Sequence, residues 1–128
     1  MKHLLDVNVL LALAHASHPH HAMAAGWFGA RVPTDRFCTC SITEIGFLRV
    51  SLQARLDVDL AAAQVTLAGL TSSPLFSRLS DSLGGASLPA YVKKAADITD
   101  GHLLALAEHH GAKLVTFDAG IPGALSLP

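Results

Sequence analysis

Four acidic residues stand where a sheet-based enzyme would hold a metal ion. Asp6 follows the apolar pair Leu4-Leu5, Glu44 comes three residues after Ser41, Asp100 follows Ile98-Thr99, and Asp118 follows Val115-Thr116-Phe117. Carboxylates gathered in one crevice repel one another unless they are protonated or neutralised. Hard divalent cations supply that neutralisation, because magnesium and manganese prefer carboxylate and water oxygens. Such a centre suits phosphodiester hydrolysis: it lowers the pKa of a bound water, orients it towards phosphorus and offsets charge on the leaving oxygen. One ion or two would serve, and a carboxylate not tightly bound could accept the water's proton.

Each acid also has a structural reading. Ser41-x-x-Glu44 has the form of a capping box, so Glu44 could bond back to the backbone of Ser41. Asp100 lies in a first helical turn after Thr99, where the helix dipole favours negative charge. Asp118 precedes Ala119-Gly120 and could start a turn. Asp6 stands apart, since no turn, cap or basic neighbour accounts for an acid inside Leu4-Leu5-Asp6-Val7. Buried carboxylates are rarely left unpaired.

The elements that must position these acids follow from the apolar pattern. Residues 2–7 read as a buried strand and Val9–Ala16 as a helix, which puts Asp6 at the strand's carboxyl end. His21–Arg31 reads as a second helix and Arg36–Cys40 as a second strand. Ser41 is expected to cap a helix from Ile42 to about Leu52, with Ile42, Ile45, Leu48 and Leu52 on its inward face. Asp59–Leu70 reads as a helix, Leu75–Leu79 as a strand, and Leu88–Ala96 as a further helix with Pro89 in its first turn. Thr99 is expected to cap a helix over Asp100–His110, with Gly111 behind its end, and Lys113–Phe117 forms a last strand before Asp118. Alternating strands and helices predict a parallel sheet covered on both faces, with the acids converging outside its carboxyl ends where strand order reverses.

Composition sets the bounds. The 128 residues suit one domain over 1–128, with a core of Leu, Ala and Val, since 51% of residues are hydrophobic but only five Phe, one Trp and one Tyr are present. The apolar run Val9–Ala14 is too short to span a membrane, and no signal peptide precedes it. Cys38 and Cys40, two apart in a strand, share a face and read as reduced core residues of a cytoplasmic protein. The net charge of −1 becomes positive once the four acids are set aside, which permits a nucleic-acid partner without demonstrating one.

Four blocks then carry a resemblance. Leu-Leu-Asp6-Val-Asn8-Val-Leu-Leu-Ala, Ser41-Ile-Thr43-Glu44, Ile98-Thr99-Asp100-Gly-His-Leu-Leu-Ala-Leu-Ala and Leu114-Val-Thr116-Phe-Asp118 resemble, in order, the conserved blocks of VapC-type PIN domains, the ribonuclease toxins of VapBC toxin–antitoxin pairs. The resemblance implies a three-layer α/β/α fold with a short parallel sheet of four to five strands. It also implies a magnesium- or manganese-dependent endoribonuclease, a homodimer, and inhibition by a small VapB-like antitoxin. By position it makes Asp6, Glu44, Asp100 and Asp118 the metal-binding and catalytic acids, with Asn8, Thr43 and Thr116 orienting ligands or water. Asp97 competes with Asp100 but is read as a solvated loop acid. Arg49, Arg55, Lys93 and Lys94 are candidates for touching RNA phosphates.

Rival readings have weaker support. His15 and His18, one helical turn apart in a histidine-rich connection, could hold zinc or nickel, but no cysteine or second acid accompanies them, and the cluster reads as solvated. A haloacid-dehalogenase-like phosphatase needs a second aspartate where Asn8 stands, and a receiver-like domain needs a lysine after the last strand, whereas Lys113 begins it. A catalytically silent PIN domain serving as an RNA-binding or interaction module remains the alternative, and the intact set of four acids argues against it.

Overall fold

The computed structural model describes residues 1–128. Chain order runs β1 (Lys2–Leu5), α1 (Val7–Ala14), α2 (His21–Gly29), β2 (Arg36–Thr39), α3 (Ser41–Gln53), α4 (Leu60–Thr71), β3 (Phe76–Arg78), α5 (Ile98–His109), β4 (Lys113–Thr116) and β5 (Leu125–Ser126). All five strands are parallel, in the order β3-β2-β1-β4-β5. The chain leaves β1 in one direction to reach β2 and β3, and returns on its other side with β4. The order therefore reverses beside β1, where a crevice opens at the carboxyl edge.

Strand alternation sorts the core into two halves. Leu4, Cys38 and Leu114 point to one face of the sheet, where Leu103, Leu104, Leu106 and Ala107 of α5 cover them. Their chain neighbours Leu5, Phe37 and Val115 point to the other face and meet Val9, Leu10, Phe47 and Leu67 from α1, α3 and α4. The result is the three-layer α/β/α sandwich. Cys38 and Cys40 are free thiols buried in the same half-core, as their two-residue spacing predicts.

Three local expectations give way. Thr43, Gly46, Phe47 and Ser51 form the inward face of α3, leaving Ile42, Ile45 and Leu52 at 37%, 61% and 36% exposure. Gly46 decides this rotation, because a Cβ there would lie 2.7 Å from Val7 Cγ2, so α3 sits closer to α1 than any larger residue would allow. The helix expected over Leu88–Ala96 is absent. Leu88 is extended, Val92 N–H donates to the Pro89 carbonyl in a turn, and a 3₁₀ turn follows at Ala95–Asp97. This segment packs onto α5 at Gly101, where any side chain would collide with Val92. The 3₁₀ turn leads straight into α5, so the helix starts at Ile98 with Asp97 in the cap position, and Thr99 falls inside the first turn. The strand count falls within the expected four to five: β5, only two residues long, is fixed by pairing with Val115 and Thr116, a signal too short for periodicity to register.

The histidine-rich connection is not uniformly solvated. His15 is buried, stacked on Phe47, with Nδ1 at 2.9 Å from the Leu11 carbonyl and Nε2 at 2.8 Å from Asp57. Ser51 and Thr66 also donate to Asp57, at 2.5 and 2.8 Å, which ties α1, α3 and α4 together at one point.

Candidate metal centre

β1 delivers Asp6 to the crevice. Its backbone is the N-cap of α1, and the buried carboxylate accepts two hydrogen bonds, from Val7 N–H at 2.7 Å and from the Thr116 hydroxyl at 2.8 Å. Asp6 thus has a capping role that the sequence did not disclose, yet no basic side chain pairs with it. Thr116, the last residue of β4 and fully buried, is the hub of the site. While donating to Asp6, its Oγ1 accepts from Asp118 N–H at 3.0 Å and from Asn8 Nδ2 at 3.3 Å. Asn8 in turn accepts from Phe117 N–H at 3.2 Å, so the carboxyl end of β4 is stitched to the start of α1. The register of β1 against β4, Leu5 opposite Val115, is what brings residues 110 positions apart into this contact.

Asp118 follows β4 and is exposed; its Oδ1 accepts from Gly120 N–H at 2.8 Å, the turn its sequence context suggested. Asp100 arrives from the first turn of α5, half-buried. Burial, followed by the nearby charges of Asp6, Asp118 and Asp97, pushes its carboxyl above the ordinary aspartate range. The same acids face Tyr91: burial, then the charges of Asp100, Asp97 and Asp118, raise its phenol, whose buried oxygen has no hydrogen-bond partner.

Glu44 lies to one side. Thr39 donates to its Oε2 at 2.5 Å, and Arg78 at the end of β3 lies 3.9 Å from Oε1. The Ser41–Glu44 capping box is not formed; the equivalent bond is one residue earlier, Cys40 N–H to Thr43 Oγ1 at 2.9 Å. Thr43 is spent on that cap and touches none of the four acids. Thr39 and Arg78 take the place expected of it beside Glu44. Sequence reasoning missed both, because only the β1–β2–β3 register sets Thr39 level with Leu5 and Arg78 level with Thr39.

The structure therefore brings Asp6, Asp100 and Asp118 together, with Asn8 and Thr116 bracing them, and holds Glu44 at the margin. No three His, Cys, Asp or Glu side chains close on one point as a ready-made cage. The donor set still suits a magnesium-like ion, which keeps several waters and needs only one or two direct carboxylates. The charges of Asp6, Asp118 and Asp97 add to burial in raising Asp100, no base neutralises Asp6, Asp100 or Asp118, and every available donor is a hard oxygen. Asp6, Asp100 and Asp118 could hold such an ion, and Glu44 could join them by turning away from Arg78.

Of the basic candidates, Arg49 lines a cleft with Ser41 and Thr99 at the edge of the acid cluster. Arg55 sits past the far end of α3, beside Leu52 and Val58, and so is remote from the site. Lys93 and Lys94 are exposed on the segment leading to α5. Both ring nitrogens of His15 are engaged, with the Leu11 carbonyl and with Asp57, so His15 has none left to share a metal with His18.

The chain is similar to known proteins. The PIN domain family profile matches residues 3–123. Ribonuclease VapC38 of Mycobacterium tuberculosis is 42% identical over 123 residues, covering 92% of this chain and 86% of that protein. Ribonuclease VapC39 of the same species is 38% identical over 135 residues, covering 98% and 95%. Among solved structures, M. tuberculosis VapC20, described as a sarcin-ricin loop cleaving toxin, superposes with a TM-score of 0.69 at 13% identity, covering 98% of this chain and 99% of that one. VapBC2 of Rickettsia felis, bound to a promoter DNA fragment, gives 0.66 at 15% identity, covering 98% and 97%. The two structures speak to the fold, while the profile and the sequence relatives carry the kinship: this chain belongs to the PIN-domain family, among the VapC ribonucleases.

Proposed function

We propose that this protein, a single domain over residues 1–128, is a magnesium- or manganese-dependent endoribonuclease and the toxin of a VapBC pair, acting in the cytoplasm. The observation that carries the reading is the convergence of Asp6, Asp100 and Asp118 at the point where strand order reverses, with Asp100 raised by burial and then by its neighbours' charges, and no base among them. A bound divalent ion would supply Lewis acidity and charge neutralisation for phosphodiester hydrolysis. The chain's own part is positioning. Thr116 and Val7 N–H fix both oxygens of Asp6, Asn8 fixes Thr116, and the turn at Gly120 fixes Asp118. Asp100 completes the cluster from α5, a rigid element of twelve residues.

The partners follow from the exposed apolar surface. Ile42 and Ile45 on α3 and Ile98 at the start of α5 flank the crevice, and Val58, Leu60 and Val65 form a second exposed set about α4. We assign these surfaces to a second copy of the chain and to a small VapB-like antitoxin, in line with relatives that carry the VapC name. No helix is long and apolar enough to cross a membrane.

The test is cleavage of RNA by the purified protein with magnesium, with manganese and in EDTA. Cleavage is expected only with added metal, and Asp6→Asn is expected to abolish it while the far-ultraviolet spectrum stays unchanged. Undiminished cleavage in EDTA would defeat the metal-dependent mechanism.

A further inference from the structure

Basic residues are placed unevenly on the sheet. Lys2, Arg36 and Lys113 begin β1, β2 and β4 at the amino edge, opposite the acid cluster. Arg78 alone ends a strand, at the carboxyl edge. Its side chain is 65% exposed, makes no hydrogen bond, and has one loose partner, Glu44, at 3.9 Å. A guanidinium presents five N–H donors in a fork that matches phosphate oxygens, so nearly all of that capacity is unspent.

Arg78 is also set in a groove. Three clefts share walls along the carboxyl edge. The first joins Thr99, next to Asp100, with Arg49 and Ser41. The second runs from Ser41 past Ser80 to Arg78, and the third from Arg78 to Thr39, Glu44 and Ser77. Ser41 belongs to the first two and Arg78 to the last two, so they form one path. Hydroxyls line it throughout, suited to phosphate and ribose oxygens. The middle wall is held rigidly to α5, since His102 lies 2.5 Å from Asp81 and His110 Nε2 lies 2.8 Å from the Ser80 carbonyl. The two acids on the path are already engaged, Asp81 with His102 and Glu44 with Thr39. Arg78 sits level with Thr39, two strands from β1, which puts it roughly 10 Å from Asp6 at the usual strand spacing.

We propose that this groove is the track for the RNA strand flanking the cleaved bond, and that Arg78 grips a backbone phosphate in it, with Arg49 at the opposite end. The assignment rests on the ribonuclease reading for its substrate class. Arg78 then governs strand binding rather than the chemical step. Held away from the bond that breaks, it contributes equally before and during reaction, so its loss raises KM and leaves kcat nearly unchanged.

The experiment compares wild type, Arg78→Ala and Arg78→Lys on a fluorescent single-stranded RNA oligonucleotide. Binding is followed by anisotropy in EDTA, and kcat and KM are followed with magnesium across a potassium chloride series. Arg78→Ala is expected to weaken binding and raise KM roughly tenfold with kcat within about twofold, and to lower the slope of log affinity against log salt by about 0.7, as for one lost phosphate contact on a single strand. Arg78→Lys should keep the salt slope and part of the affinity, because the charge remains and the fork is lost. Unchanged affinity and slope in a folded Arg78→Ala protein overturn the proposal. So does unchanged RNA binding by anisotropy on adding Arg78→Ala to a Glu44→Gln background, which would show that Arg78 acts only by holding Glu44. Wild-type protein that binds RNA with the expected Arg78 dependence but never cleaves it would remove the ribonuclease reading and leave the track standing; wild type that does not bind RNA removes both.

Discussion

Replacing Thr116 with valine separates the bracing of the site from its carboxylates. Valine matches threonine in shape, so the fully buried position keeps its packing and loses only the hydroxyl. That hydroxyl donates to Asp6 at 2.8 Å and accepts from Asp118 N–H at 3.0 Å and Asn8 Nδ2 at 3.3 Å. The bond to Asp6 has a charged acceptor and is worth about 1.5–3 kcal/mol, while the other two are longer and can turn to water, so the loss should be about 2–3 kcal/mol. For a domain of this size that corresponds to a melting temperature lowered by roughly 6–15 °C. With one oxygen of Asp6 released, metal-dependent cleavage should fall about 10- to 100-fold, and the magnesium concentration for half-maximal rate should rise. Thermal melts in EDTA and a magnesium titration of cleavage measure the two effects, and Thr116→Ser should recover most of both. A Thr116→Val protein that melts within a degree of wild type and keeps its magnesium dependence would refute the bracing role.

Two further outcomes follow from charge. Burial first, and then Asp6, Asp118 and Asp97, raise the Asp100 carboxyl, so its contribution favours the folded state when protonated and is lost as pH rises through its folded value. Asp100→Asn should therefore raise the melting temperature in EDTA at neutral pH while abolishing cleavage. It should also shrink the gain from added metal, which for wild type is about 1.4 kcal/mol at ten times the dissociation constant; a lower melting temperature in EDTA would contradict the crowding of charge. Asp57 has the opposite sign: burial opposes its ionisation, but hydrogen bonds from Ser51, His15 and Thr66 prevail and hold it below the ordinary range. The stability it contributes is present at neutral pH and is lost as pH falls below about 4, and Asp57→Asn should flatten that acid limb in urea melts at stepped pH.

What the sequence determined by itself was the sheet and the elements that carry acids. Leu4 against Leu5 and Leu114 against Val115 alternate across two covered faces, so the strand positions were legible, and with them Asp6 and Asp118 at strand ends. The apolar spacing of α5 placed Asp100 in its first turn. These features depend on periods of two and 3.6 residues, which a chain displays locally. Tertiary structure decided whatever depends on which surfaces meet. The contact of Gly46 with Val7 turned α3 so that its isoleucines face outward, against the apolar periodicity. Docking of residues 88–92 on Gly101 replaced an expected helix with a turn. A partner 42 residues away, Asp57, made His15 a buried anchor instead of a solvated residue. Strand register gave Glu44 the neighbours Thr39 and Arg78 in place of Thr43. It also closed the Asp6–Thr116 bond across 110 residues, because hydrogen bonding between distant strands is fixed by the whole sheet and leaves no trace in the spacing of either segment.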